Sequence, residues 1–245
     1  MVRTVKISDN LQVMSLSIAE EMLKMAENAF KHSKRLKVAL SGGSTPLQLF
    51  SVLGSRYSAS EVWNAVDFFW SDERCVPPDS PESNFGAARE LFLSKAGVPE
   101  ENINRIIGEN DPEEEAERYS KLIMNKIIAR SGFPVFDVIF LGLGEDGHTA
   151  SIFPGDEKVI TSDKICEVAQ HPVSGQKRIT LTLPVINNAY RVIFMVTGKS
   201  KAGIVAEILG DTGCTQYPAG LVKPLNGQLF WHLDSASASF LNQLA

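Results

Sequence analysis

Phe136-Asp-Val-Ile-Phe-Leu-Gly-Leu-Gly-Glu-Asp-Gly-His-Thr-Ala-Ser-Ile-Phe-Pro154 is the segment from which the fold class can be argued. Val138 to Leu141 is an apolar run bounded by polar residues and glycine, the pattern of a strand buried on both faces. Gly142, Gly144 and Gly147 then allow a tight turn and close approach of backbone to a ligand. Asp146 and His148 follow within that turn. In an open α/β sheet, ligands bind beyond the carboxyl ends of the strands, where this turn would lie. His148 is therefore a candidate general base, with Asp146 placed to orient it. The Gly142-x-Gly144-x-x-Gly147 spacing also fits a dinucleotide fingerprint. Against that stand the histidine after the last glycine, the mid-chain position and the lack of an acid ending the next strand. The plainer alternative is a histidine that only caps a helix.

The same strand-then-turn grammar recurs on either side. Leu36 to Leu40 is a short apolar strand running into Ser41-Gly-Gly-Ser-Thr-Pro46. Thr45 is expected as the helix N-cap and Pro46 as the first helical residue. A strand, a Gly-Gly turn and a helix start form an anion site, because free N–H groups converge there and the helix dipole favours negative charge. It is not a P-loop, since the Gly-Lys-Ser/Thr ending is absent. Val66 to Trp70 is a further buried strand, ending in the charged segment Ser71-Asp-Glu-Arg74. Arg191 to Thr197 is another, feeding Gly198-Lys-Ser-Lys-Ala-Gly203 and a helix through Leu209. Strands are also expected over 165–169, 177–184 and 228–233.

Helices fill the intervals. A capping box at Ser17-Ile-Ala-Glu20 predicts a first helix over 17–32. Asn84 is expected to cap a helix over 85–95. Asp111-Pro-Glu-Glu-Glu115 is a strong start for a helix carrying Ala116, Tyr119, Leu122, Ile123 and Ile127 inward. Residues 211–223 read as loop, and Asp234 as the cap of a short terminal helix. Strands and helices alternate throughout, which predicts a doubly wound, mostly parallel α/β sheet, Rossmann-like, in a single domain over 1–245.

Composition narrows the function classes. The 245 residues are 44% hydrophobic, enough for a sizeable core, and the net charge of −5 argues against nucleic-acid and anionic-membrane partners. No apolar run approaches membrane-spanning length, and the amino terminus has no signal-peptide core. Cys75, Cys166 and Cys214 are too few and too scattered for a disulfide framework, so a reducing, cytoplasmic setting is expected. His32, His148, His171 and His232 lack ligand spacing, so no metal is expected, and His171 and His232 read as structural.

Ser41-Gly-Gly-Ser-Thr-Pro46, Trp70-Ser-Asp-Glu-Arg74, the central segment from Leu141 to Pro154, Arg178-x-Thr180 and Gly198-x-x-Lys201-Ala202 occur in this order at expected strand ends. Together they resemble the 6-phosphogluconolactonase family, hydrolases of the oxidative pentose phosphate pathway. The resemblance spans residues 36–234. It implies a fold shared with glucosamine-6-phosphate deaminase, a small phosphosugar substrate and no cofactor. It implies water activated by His148, with Asp146 orienting the imidazole or the sugar hydroxyls. The phosphate is expected on Gly42, Gly43, Ser44 and Thr45, with charge from Arg178 and Lys201 and a further cation at Arg74. For each cation the alternative is a surface ion pair. Asp72 and Glu73 either bind sugar hydroxyls or hold Arg74.

Two rivals stay open at this level. The deaminase pattern has a tyrosine where this chain has Arg74, and a Glu-bearing segment where it has Ser151-Ile-Phe-Pro154. Both departures favour the lactonase. A non-catalytic sugar-phosphate sensor on the same fold is the other rival, disfavoured by the retained Asp146-Gly-His148.

Overall fold

The computed structural model describes residues 2–210 and 215–241. In chain order its elements are β1 (Val2–Ser8), α1 (Leu11–Lys31), β2 (Leu36–Leu40), α2 (Ser44–Arg56), β3 (Val66–Trp70), β4 (Asp72–Arg74), α3 (Asn84–Ala88, continued by a π-helical turn), α4 (Pro112–Lys126), β5 (Ala129–Arg130), β6 (Phe133–Pro134), β7 (Val138–Leu141), α5 (Glu157–Ile160), β8 (Cys166–Gln170), β9 (Lys177–Leu181), α6 (Leu183–Asn188), β10 (Arg191–Val196), α7 (Ala202–Leu209) and β11 (Gln228–Asp234). Among the described residues no helix is long and apolar enough to cross a membrane.

Six strands form a wholly parallel sheet in the order β1-β11-β10-β7-β2-β3. The runs read as doubly covered strands are so: every residue of β3 and β7 is buried. Aromatic side chains fill the interior. Phe194 and Trp231, register partners on β10 and β11, stack at 4.0 Å, and Trp63, Phe68 and Phe92 meet edge to face or tilted. His232 is buried beside them on β11, and burial pushes its conjugate acid down to about 4.

Strand order places a switch point between β2 and β7. From β2 the chain steps outward to β3; from β7 it steps the other way, to β10 and β11. The loops leaving these two neighbours therefore diverge, and a crevice opens between them. A second sheet, antiparallel in the order β4-β9-β8, stands next to that crevice. The charged segment after β3 is thus a strand, not a solvated loop: Asp72, Glu73 and Arg74 pair with Thr180, Ile179 and Arg178.

Several expected boundaries move. Helix α1 starts two turns before the capping box at Ser17, because Asn10 caps it first, accepting the Val13 N–H at 3.0 Å. Helix α2 starts at Ser44 with Gly43 as its cap, so Thr45 lies inside the helix. Ser83 caps α3, accepting from Gly86 N–H at 2.9 Å, while the Asn84 amide donates to the Asp72 carbonyl instead. Asp111 caps α4 as expected. Asp234 accepts the Ser237 N–H at 2.8 Å, yet the chain to residue 241 is turns, not α-helix. The amino-terminal strand β1 had no counterpart in the expectations. Residues 211–214 of the expected loop, with Cys214, lie outside the described residues.

Strand β3 is a sheet edge, and Tyr119 of α4 closes it next to the site. Its buried hydroxyl accepts the Trp70 N–H at 2.8 Å and donates to the Trp70 carbonyl at 3.0 Å. Tyr119→Phe leaves both backbone groups buried without partners, so chemical denaturation should show a loss of about 1–3 kcal/mol. A variant as stable as wild type would mean that water replaces the hydroxyl.

Candidate active site

The turn after β7 is built around its own side chains. Gly144 N–H donates to the His148 carbonyl at 2.9 Å, and Thr149 Oγ1 donates to the Gly142 carbonyl at 2.9 Å. Asp146 Oδ1 accepts the His148 backbone N–H at 3.1 Å and lies 2.6 Å from the imidazole Nδ1. A Cβ on Gly144 would come within 2.1 Å of His148 Nδ1 and 2.5 Å of Asp146 Oδ1, so only glycine leaves room for the pair. The glycine spacing serves these residues, not a dinucleotide turn. His148 caps no helix either, since α5 begins at Glu157 under an Asp156 cap. Burial alone would raise the Asp146 carboxyl, but the hydrogen bond and charge of His148 prevail and hold it down to about 2. An ionised carboxylate on Nδ1 keeps the ring proton there and leaves Nε2 with a lone pair, the tautomer a general base needs.

The turn after β2 faces this pair across the crevice. Gly43 takes φ +100° as the α2 cap, and Ser44 and Thr45 lie in the first turn, where helix geometry gives the N–H groups no intrahelical partner. Thr45 Oγ1 lies 2.8 Å from Thr197 Oγ1, which ties the turn to the end of β10. Gly42 must be glycine because a Cβ there would stand 1.7 Å from Asn84 Oδ1.

The third wall is the small sheet. Asp72 is buried and accepts from Ser151 Oγ at 2.7 Å, and Ser151 N–H donates to Thr180 Oγ1 at 3.2 Å. Glu73 points the other way. Its carboxylate accepts from the backbone N–H groups of Arg74, Asn84 and Phe85 at 2.7–2.8 Å and from Ser83 Oγ at 3.1 Å. It holds β4 to the start of α3, while Asp72 lines the cavity. Burial nonetheless raises its carboxyl above the ordinary value.

Arg74 and Arg178 are direct register partners across β4 and β9. Like charges in that relation repel. Burial, and then Arg74, lower the Arg178 guanidinium below its ordinary value. Arg74 donates to the Glu82 carbonyl at 2.7 Å, but the buried Nε atoms of both arginines lack partners among the described residues. Lys201, in the short turn before α7, is lowered by burial, against the pull of Glu145 and Asp146.

One cavity of about 240 Å³ collects these groups. Gly42, Gly43, Ser44, Thr45, Asp72, Arg74, His148, Arg178 and Lys201 all line it, and Asp146 stands behind His148. Asn84 also lines it. Reading Asn84 as a helix cap hid that role, because the same residue type serves either purpose. Thr197, at the end of β10, carried no signal beyond its place at a strand end.

The family described as glucosamine-6-phosphate isomerases/6-phosphogluconolactonase matches residues 9–231. A 6-phosphogluconolactonase of Haemophilus influenzae is 41% identical over 206 residues, covering 83% of this chain and 87% of its own. The solved structure of 6-phosphogluconolactonase from Trypanosoma brucei superposes with a TM-score of 0.88 at 30% identity, over 98% of each chain. A monomeric glucosamine-6-phosphate deaminase, at TM-score 0.77 and 20% identity over 96% of this chain and 99% of its own, shares the fold alone. With the family model matching residues 9–231 and a relative 41% identical over 83% of this chain, the chain belongs to the glucosamine-6-phosphate isomerase/6-phosphogluconolactonase family.

Proposed function

We propose that this chain hydrolyses 6-phospho-D-glucono-1,5-lactone to 6-phospho-D-gluconate, with His148 activating the water. The observation that carries the reading is the 2.6 Å Asp146–His148 pair in a cavity that also holds an anion turn and three cations. Nε2 of His148 takes a proton from water as the oxygen attacks the lactone carbonyl carbon. The tetrahedral intermediate then expels the ring oxygen, and the imidazolium returns the proton to it. Ionised Asp146 steadies the imidazolium between these steps. No nucleophilic serine is needed, and no cofactor or metal enters the scheme.

The phosphate rests on Ser44 and Thr45 N–H at the start of α2, with Lys201 as a point charge and Arg178 as a planar fork. Arg74 opposite Arg178 places two like charges side by side, which makes an anion between them favourable. Asp72, buried on the third wall, accepts from a sugar hydroxyl. A negatively charged chain that concentrates its cations here suits a small phosphosugar and neither nucleic acid nor an anionic membrane. Cys75 and Cys166 are free thiols, in keeping with the cytoplasm.

Loss of the base should be the most damaging single change. His148→Ala should lower kcat by about a hundredfold or more, the usual scale for general-base loss, and change 6-phosphogluconate binding little. Turnover of fresh lactone above its spontaneous hydrolysis is the measurement; near-normal turnover removes His148 from the mechanism.

Lys201→Ala should weaken 6-phosphogluconate binding by about 1.5–3 kcal/mol, typical of a charge-assisted hydrogen bond. Unphosphorylated gluconolactone should be a poor substrate for wild type and variant alike, with little further loss in the variant. Equal proportional losses on both substrates would place Lys201 away from the phosphate.

The deaminase reaction needs further acid–base groups, and an arginine cannot shuttle protons. Residues 152 and 153, where the deaminase pattern carries its acid, are a buried isoleucine and phenylalanine. Wild type should release no ammonia from glucosamine 6-phosphate, and Arg74→Tyr should impair lactone hydrolysis without gaining deamination. Ammonia release by wild type would overturn the assignment.

A further inference from the structure

Phe153 lies directly behind the candidate base. Its ring is 1% exposed and 4.9 Å from the His148 ring, centroid to centroid. The Arg178 guanidinium sits 5.6 Å from the same ring centroid. A third side chain, His171, meets the ring at 5.2 Å and 74°, edge to face. One buried ring thus touches the base, a cation of the anion grip and a second histidine that the chemistry above does not use.

His171 is held in one tautomer. It opens the turn that joins β8 to β9, and its Nδ1 accepts the backbone N–H groups of Val173 and Ser174 at 3.2 and 3.1 Å. The chain closes around it, with His171 N–H donating to the Gln176 carbonyl at 3.0 Å and Gly175 N–H to the His171 carbonyl at 2.9 Å. With Nδ1 occupied as an acceptor, the ring proton is on Nε2. A second proton has only Nδ1 to go to, and there it would meet two N–H donors. Protonation and the present turn are therefore incompatible.

We propose that His171 is a positioning residue for the reaction: its neutral ring braces Phe153, and Phe153 seats both the His148 imidazole and the Arg178 guanidinium. The brace rests on the functional reading above only for its effect on turnover. The charged and titratable groups around His171 are Arg178, His148, Asp146 and Arg74. Burial first, then the charge of Arg178, hold its conjugate acid below the ordinary imidazolium value. The brace is therefore intact at neutral pH and is lost as the pH falls through that lowered value.

Two variants separate the turn from the brace. In His171→Asn the side-chain carbonyl stands where Nδ1 stood and accepts the same two N–H groups, so the turn survives while the ring edge is lost. In His171→Phe the ring edge survives and nothing titrates; the Val173 and Ser174 N–H groups, exposed to solvent, pass to water and meet no opposing donor. The brace predicts that His171→Asn lowers kcat by about tenfold, a fraction of the ~100-fold that a 1 Å misplacement costs. His171→Phe should recover most of that loss, and its kcat/KM should fall less steeply in acid than that of wild type, because one protonation has been removed. The second readout is the His148 ring signal in NMR, whose shift carries the ring current of Phe153. It should move in His171→Asn and stay in His171→Phe. A wild-type kcat together with an unmoved His148 signal in folded His171→Asn overturns the brace. If wild type itself failed to turn over lactone, the functional reading would fall, and the NMR arm would still decide the brace.

Discussion

Two adjacent parallel strands that send their chains in opposite directions are the constraint on which this molecule depends. Val38 and Ala39 of β2 pair with Val138 and Ile139 of β7, so the two strand ends are fixed side by side by backbone hydrogen bonds. β7 is apolar and buried throughout and β2 over its last three residues, and neither can slide without burying a polar turn. What leaves each end is a glycine-containing turn, and the divergence of the following chain keeps those turns apart. The His–Asp pair and the anion turn owe their separation to this step in strand order, not to contacts with one another.

Electrostatics then gives the crevice its character. The chain carries a net charge of −5, yet Arg74, Arg178 and Lys201 line one small cavity. Two of these face each other across an antiparallel ladder, where like charges repel. The acids nearby are committed elsewhere: Glu73 to the backbone at the start of α3, and Asp146 to His148. Asp72 is the exception, with Ser151 satisfying one oxygen and the cavity open beside it. The cavity thus gathers three cations beside one imidazole whose Nδ1 is held by an ionised carboxylate.

Glycine is used here for space. At Gly144 the room goes to the His148–Asp146 pair, and at Gly42 to the amide of Asn84. A substitution at either would displace a site residue directly, because the missing Cβ is where a functional side chain now lies. The second sheet supplies stiffness of another kind. It fixes Asp72 and Arg74 by pairing with β9, so that a three-residue polar stretch behaves as a rigid wall.

Strands buried on both faces were legible because continuous apolar runs between turn residues have few other uses: β2, β3, β7 and β10 were each read in place. The Asp111 cap was legible for the same kind of reason, since an acid, a proline and three glutamates satisfy free helix N–H groups and the dipole at once. The motifs at strand ends, compared with a known family, named the residues of the cavity. Other features depended on what lies far away in the chain. β1 mixes polar and apolar residues and is a strand because β11 offers it a partner. β4 is a strand because β9 does. Asn84 is a site residue because Asp72 and Gly42 come to it, and the choice of Asn10 over Ser17 as a cap follows from which turn of α1 already packs on the core. Local patterns determine which segments must be buried and where the chain must turn; the pairing of Arg74 with Arg178 and the contacts of Phe153 with His148 and His171 arise only when the folded backbone sets distant residues within a few ångströms, where charge and packing act.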